Sequence, residues 1–205
     1  MKHRKLGTWF MMGGLLLMAA ALLLTLYNVW DERRAAASAE DVARALENVL
    51  PETVDPSDPE EQEIPAYILD PDRGMPTTEI DGNSYIGTLT IPCLGLELPV
   101  METWSYSKLR VAPCRYSGSA YKDDMIIAAH NYRTHFGKLK NLRPGDEVQF
   151  TDTEGNIFRY TVEEMETLDK YAVEEMESGS WGLTLFTCTY GGQSRITVRC
   201  QKVSE

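Results

Sequence analysis

Six residues separate Cys188 from Arg195, and two of them are Gly191 and Gly192. The run before the cysteine, Leu183-Thr184-Leu185-Phe186-Thr187, is apolar and β-branched, the composition of a buried strand. A second strand pattern, Arg195 to Lys202, follows the glycines. A tight turn through the Gly-Gly pair therefore sets a thiol and a guanidinium at one end of one sheet. Thiolates attack amide carbonyls far better than hydroxyls do, and a guanidinium offers the resulting oxyanion a fork of donors that never deprotonates. Such chemistry also needs a proton carrier, most often an imidazole. Of the three histidines, His3 is N-terminal and His135 lies in a loop. His130 instead ends the apolar run Met125-Ile126-Ile127-Ala128-Ala129, so it too stands at the tip of a buried strand. Cys188, His130 and Arg195 are the candidate catalytic residues.

Arg199 is the rival of Arg195. Period-two alternation puts both on one face of their strand, so parity does not separate them. Arg195 is favoured because it adjoins the turn, level with Cys188, whereas Arg199 lies roughly 13 Å further along. Thr187 is a candidate for shaping the nucleophile's surroundings or touching substrate, against the plainer reading of a β-branched strand residue. Gly191 and Gly192 either let a substrate approach the backbone closely or serve only the hairpin.

These residues need a scaffold of short strands. Strand patterns occupy Tyr85–Ile91, Leu96–Val100, Met125–Ala129, Glu147–Thr151, Ile157–Glu163, Leu183–Cys188 and Arg195–Lys202. Asp152 to Asn156 reads as a hairpin connection, and only Ser105–Leu109 and Lys138–Leu142 look like single helical turns. Closely spaced strands over residues 85–205 predict an all-β barrel or sandwich.

The first thirty residues are of another kind. No ionisable side chain except Tyr27 lies between Lys5 and Asp31. Trp9 to Tyr27 gives nineteen residues, roughly 28 Å of helix, which matches a bilayer core. Lys2, Arg4 and Lys5 precede it, so the positive-inside bias predicts a cytoplasmic tail (1–5), a signal anchor (6–30) and an external remainder. Ala35-Ala36-Ala37 also offers a cleavage site for the alternative, a signal peptide. Residues 31–84 read as a juxtamembrane helix over Ser38 to Leu50, closed by Pro51, then an acidic, Pro-rich stalk. That stalk is expected to hold the domain off the membrane without entering its core. Its Tyr67-Ile68-Leu69 is a candidate lid.

All 31 carboxylates lie at or after Asp31, with 17 of the 20 basic side chains, a balance of −14. That excludes a general nucleic-acid or anionic-lipid binder. Cys93, Cys114 and Cys200 read as reduced, buried structural thiols, with a Cys93–Cys114 or Cys114–Cys200 bridge left open. Asp123-Asp124 and Glu174-Glu175-Glu177 lack an ordered calcium-ligand spacing, so no cofactor is expected.

On Ala129-His130, Thr184-Leu185-Phe186-Thr187-Cys188 and Arg195-Ile196-Thr197-Val198-Arg199, the chain resembles the sortases, cysteine transpeptidases of Gram-positive cell surfaces. The five residues ending in Cys188 match the family's T-L-x-T-C box. Gly87 to Pro92, Leu98-Pro99-Val100, Phe136 to Leu139 and Leu142 to Asp146 are similar to other stretches of the family. The resemblance covers about Tyr85 to Lys202. It implies a closed eight-stranded β-barrel with short helical turns, behind a single transmembrane helix. It also implies cleavage of an LPxTG-like sorting signal through a thioester on Cys188. Transfer would follow to a cell-wall precursor amine or a pilin lysine, the former preferred for want of a structured lid before residue 85. The connection between Cys188 and Arg195 is short and no long helix precedes the cysteine strand, so no subclass is assigned. Two readings stand beside this one. A cysteine hydrolase would use the same residues with water as acceptor. A non-enzymatic β-domain displayed on the membrane would keep Cys188 as a structural thiol.

Overall fold

The computed structural model describes residues 2–47 and 64–203. The chain divides into two compact units, Met1–Arg34 and Ala35–Glu205. Helix α1 (Lys2–Glu47) supplies the first and enters the second. The first unit leaves Trp9, Leu16, Leu23 and their apolar neighbours open to the surroundings, as a membrane-facing helix does. By length and composition it can cross a bilayer.

The second unit is a barrel. Its strands are β1 (Thr78–Ile80), β2 (Asn83–Ile91), β3 (Leu96–Met101), β4 (Cys114–Ser117), β5 (Met125–Ala129), β6 (Glu147–Asp152), β7 (Ile157–Asp169), β8 (Leu183–Cys188) and β9 (Ser194–Lys202). The order β2-β3-β4-β5-β8-β9-β7-β6 closes where β2 pairs with β6, Leu89 opposite Phe150. Eight strands thus form the barrel, and β1 is added to β2 as a ninth. Alternation explains the closure: Met125 and Ile127 of β5, Leu183 and Leu185 of β8, and Val198 and Cys200 of β9 are all fully buried on the inner face. Each such aliphatic side chain contributes about 1.5–3 kcal/mol on burial.

All seven strands legible in the sequence are present. The two that were not, β1 and β4, are three and four residues long. β7 runs to Asp169, six residues past the expected end. Beyond Thr161 it pairs only with β9, after a register shift between Val162 and Glu164. With one edge open, it tolerates the glutamates that argued against a strand. A one-turn helix, α3 (Val173–Glu177), also escaped the sequence.

The expectation that the stalk from Glu52 to about Thr78 stays out of the core is corrected at Met75, buried in the main apolar cluster, and the helix before the stalk joins the domain too. Ala35, Ala39, Val42 and Leu46 recur at helical spacing along α1 and are buried. Val42 and Leu46 pack with Tyr85, Met101, Ala112 and Cys114 in a second apolar cluster. Val49, Leu50, Pro51 and the stalk as far as residue 63 lie outside the described residues. The lid expectation is corrected as well. Tyr67, on the short helix α2 (Ala66–Leu69), stacks on Tyr121 at 4.8 Å and meets Phe158 at 5.1 Å. Arg73 bonds to Glu154 of the β6–β7 hairpin at 2.8 Å. Phe158 begins β7, and the following residues pair with the C-terminal end of β9, opposite Lys202. The segment is therefore anchored at the end of the barrel away from Arg195 and Cys188.

Candidate active site

Two pairings build the site. β5 and β8 run parallel, with Ala128 opposite Phe186 and Ala129 opposite Thr187. One step further along both strands, His130 comes level with Cys188. β8 and β9 run antiparallel, and Cys188 pairs with Arg195 directly. Adjacent strands are about 4.8 Å apart, so the imidazole-bearing and guanidinium-bearing backbones flank the thiol on either side. The strand register sets the backbones of all three sequence-predicted catalytic residues at one rim. By alternation, Ala128, Phe186, Cys188 and Arg195 share the outer face of the sheet.

Each residue is held by local structure. The β8–β9 turn is closed by Thr189 N–H donating to Ser194 O at 2.9 Å and Gly192 N–H donating to Thr189 O at 2.9 Å. Gly191 and Gly192 adopt φ of 86° and 70° with open space where a Cβ would stand. The turn's left-handed backbone, not close packing, therefore requires them. Arg195 Nη1 donates to Gly192 O and Ser194 O, both at 3.2 Å, so the turn also orients the guanidinium. These two acceptors engage only part of a five-donor fork.

The loop after His130 is drawn into a tight wrap. Phe136 N–H donates to His130 O at 3.1 Å, and Gly137 N–H donates to Tyr132 O at 2.8 Å. A Cβ on Gly137 would meet Asn131 O at 2.5 Å, so only glycine fits there. The His130 ring stacks on Tyr132 at 4.9 Å, and Tyr132 in turn meets His135 at 5.4 Å. His135 is fully buried, and neither of its ring nitrogens has a hydrogen-bond partner among the described residues. Burial, with His130 close by, pushes its pKa down to about 4, so it stays neutral.

Thr187 faces inward, only 1% exposed, and its hydroxyl donates to Ala129 O at 2.8 Å. That bond ties β8 to the residue preceding His130, and Thr187 also lines a small cleft of about 110 Å³ beside Cys188. Arg199 is separated from Arg195 by burial. It is 2% exposed and bonded to Glu166 Oε1 at 2.7 Å, whereas Arg195 is partly open beside Cys188.

Cys188 opens onto a groove of about 180 Å³. Trp104, Tyr106 and Tyr116 form one wall, Phe186 the floor, and Ala172 with Val173 of the β7–β8 connection the other wall. Trp104, Tyr116 and Phe186 make a chain of ring contacts at 5.5 and 5.4 Å. Such a surface suits an apolar side chain of an extended peptide. Sequence reasoning missed these aromatics. Alternation within β8 signalled Phe186, but nothing local tied Trp104 or Tyr116 to the cysteine.

All four cysteines are free, so neither bridge left open forms; Cys93, expected to be buried, is corrected to an exposed thiol. Cys114 and Cys200 are buried, and desolvation pushes each thiol up to about 12. Asp123 pairs with Lys202 at 2.7 Å, and Asp124 accepts from Ser119 N–H at 2.8 Å.

The Sortase domain family model matches residues 89–203, more than half of the chain. Sortase A of Bacillus anthracis is 30% identical over 116 residues, covering 53% of this chain and 54% of that protein. The chain thus aligns with about half the length of this curated relative. Among solved structures, sortase C1 of Streptococcus agalactiae superposes with a TM-score of 0.56 at 22% identity, over 71% of this chain and 80% of that one. The Clostridium perfringens Sortase D5 transpeptidase gives 0.53 at 21% identity, over 62% and 83%. At these identities the structures speak for the fold: the same closed barrel. With the family model running from the end of β2 through β9, over both strands of the thiol–guanidinium pair, this chain belongs to the sortase family.

Proposed function

We propose that the chain is a membrane-anchored cysteine transpeptidase that cuts an LPxTG-like sorting signal and joins the cleaved protein to an amine. Cys188 gives its thiol proton to His130, its thiolate attacks the carbonyl carbon of the signal's Thr, and Arg195 donates to the developing oxyanion. As the Thr–Gly bond breaks, His130 protonates the departing amine, leaving a thioester on Cys188. The incoming amine then attacks the thioester and gives up a proton to His130. The thiolate leaves, and the new amide is released. The three side chains supply nucleophile, proton carrier and oxyanion donor, so these steps call on no cofactor. The acceptor is a cell-wall precursor amine, or alternatively a pilin lysine. The N-terminal helix crosses the membrane with its basic end, Lys2, Arg4 and Lys5, in the cytoplasm and the barrel outside.

The cross-strand pairing of Cys188 with Arg195, with the end of β5 alongside and an apolar groove in front, is the observation that carries this reading. The test uses the full-length chain in detergent micelles, a sorting-signal peptide and an amine nucleophile, followed by mass spectrometry. The expected products are a peptide–amine conjugate and a transient adduct on Cys188, both lost in Cys188→Ala. Free acid alone, whatever the amine concentration, would establish a hydrolase instead. An unchanged peptide would sink both.

A further inference from the structure

Behind one wall of the groove lies a second arginine that the chemistry above does not use. Arg199 sits on the outer face of β9, opposite Thr184 and on the same side as Arg195. It is buried, and four of its five N–H donors are engaged. Nε donates to Glu166 Oε1 at 2.7 Å, Nη1 to Met176 O at 2.7 Å and to Thr184 Oγ1 at 3.2 Å, and Nη2 to Glu175 O at 2.6 Å. Two of these acceptors are the carbonyls of residues near the C-terminal end of α3. A helix of five residues leaves its last carbonyls without partners of its own and is too short to persist alone. Ser178 Oγ donates to Glu175 O at 3.0 Å, and the sheet, through Arg199, supplies the rest.

α3 and the residues just before it are one wall of the groove. Ala172, Val173 and Met176 line it across from Trp104 and Tyr116. The Met176 side chain is buried against the sheet, with Thr197 Oγ1 3.8 Å from its sulfur. Removing a guanidinium from water is expensive, and apolar packing would stabilise a fold at least as well. What an arginine adds is a planar fork that fixes two carbonyl oxygens in space.

We infer that Arg199 is a positioning residue for donor recognition: by holding the backbone of Glu175 and Met176 it sets the width of the groove beside Cys188. The inference rests on the proposed role of the groove in binding a sorting signal. Arg199 touches neither the reacting atoms nor the peptide. Its loss changes which peptides bind and how tightly, not how fast a bound one reacts.

The test compares the full-length wild type with Arg199→Lys and Arg199→Gln in detergent micelles. It measures peptide kinetics for signals carrying Leu or Ala at the apolar position, iodoacetamide labelling of Cys188, and thermal unfolding. In folded variants KM for the Leu peptide rises roughly 10-fold or more, kcat stays within about threefold, and the Leu-over-Ala preference collapses. The labelling rate of Cys188 is unchanged. If neither variant folds, Glu166→Ala and Thr184→Val each remove one anchor of the guanidinium and face the same KM and selectivity criterion. Wild-type KM and selectivity in the folded variants would overturn this inference alone. Failure of the wild type to cleave any signal would overturn it together with the functional reading.

Discussion

Thr187→Val isolates one hydrogen bond at almost constant shape. The Thr187 hydroxyl sits in the barrel interior and reaches Ala129 O at 2.8 Å, across a sequence separation of 58 residues. Valine fills the same volume and preserves the packing, so the change leaves one buried carbonyl less well satisfied. That loss is worth about 1–2 kcal/mol, which lowers Tm by roughly 3–8 °C in a domain of this size. The larger consequence falls on His130, the residue that follows β5. A misplacement of about 1 Å in a catalytic group costs on the order of 100-fold, so kcat/KM should fall roughly 10- to 100-fold, or about 1.4–2.7 kcal/mol in the barrier. Thr187→Ser is the control. It keeps the hydroxyl and gives up one methyl, costing about 0.8 kcal/mol of stability, and turnover should stay close to that of the wild type. Circular-dichroism melting and peptide cleavage by the full-length protein read both effects. If the Thr187→Val protein turned over normally while the serine variant lost activity, packing and not the hydrogen bond would be what matters, and the positional argument would fail.

Arg195→Lys should lower kcat roughly 100-fold or more, as for a lost oxyanion donor, without moving Tm; an Arg199-like rise in KM instead would refute the division of labour between the two arginines. In native protein, iodoacetamide should label the exposed Cys93 and the half-buried Cys188, while Cys114 and Cys200 react only after denaturation, as mass mapping would show. His135 binds its proton at about 4 when folded against an ordinary value near 6.5, so the unfolded chain takes up the proton first and stability falls as pH drops from 6.5 toward 4. His135→Leu should flatten this acid limb by about 1.4 kcal/mol per pH unit within that window, measured by denaturant unfolding; parallel curves would show that His135 does not titrate there. Leu46→Ala should destabilise the barrel by about 2–4 kcal/mol, visible as a lower urea midpoint, because α1 is part of the domain; an unchanged midpoint would make that contact superficial.

The short-range half of the site was legible in the residues. The β8–β9 hairpin has its strands, glycine turn and register written within a few residues of one another, so the Cys188–Arg195 pairing follows from local chemistry. The same holds for the apolar helix at the N-terminus and the seven longer strands, whose period or length is a property of contiguous sequence. β1 and β4 were too short to show a period, and the glutamates of β7 are tolerated only because its far portion has an open edge.

What the tertiary structure alone decided is everything that depends on which strands become neighbours. The parallel pairing of β5 with β8 places His130 beside Cys188, and no periodicity within either strand contains that information. Arg195 and Arg199 have the same parity; only the packing of α3 over β9 buries one and leaves the other facing the groove. Val42 and Leu46, and likewise Tyr67, join the domain because barrel closure creates apolar surfaces for them, one against Met101 and Cys114, the other against Tyr121 and Phe158. Local sequence fixes which face of an element is apolar, whereas the partner for that face is chosen by the closure of the whole sheet.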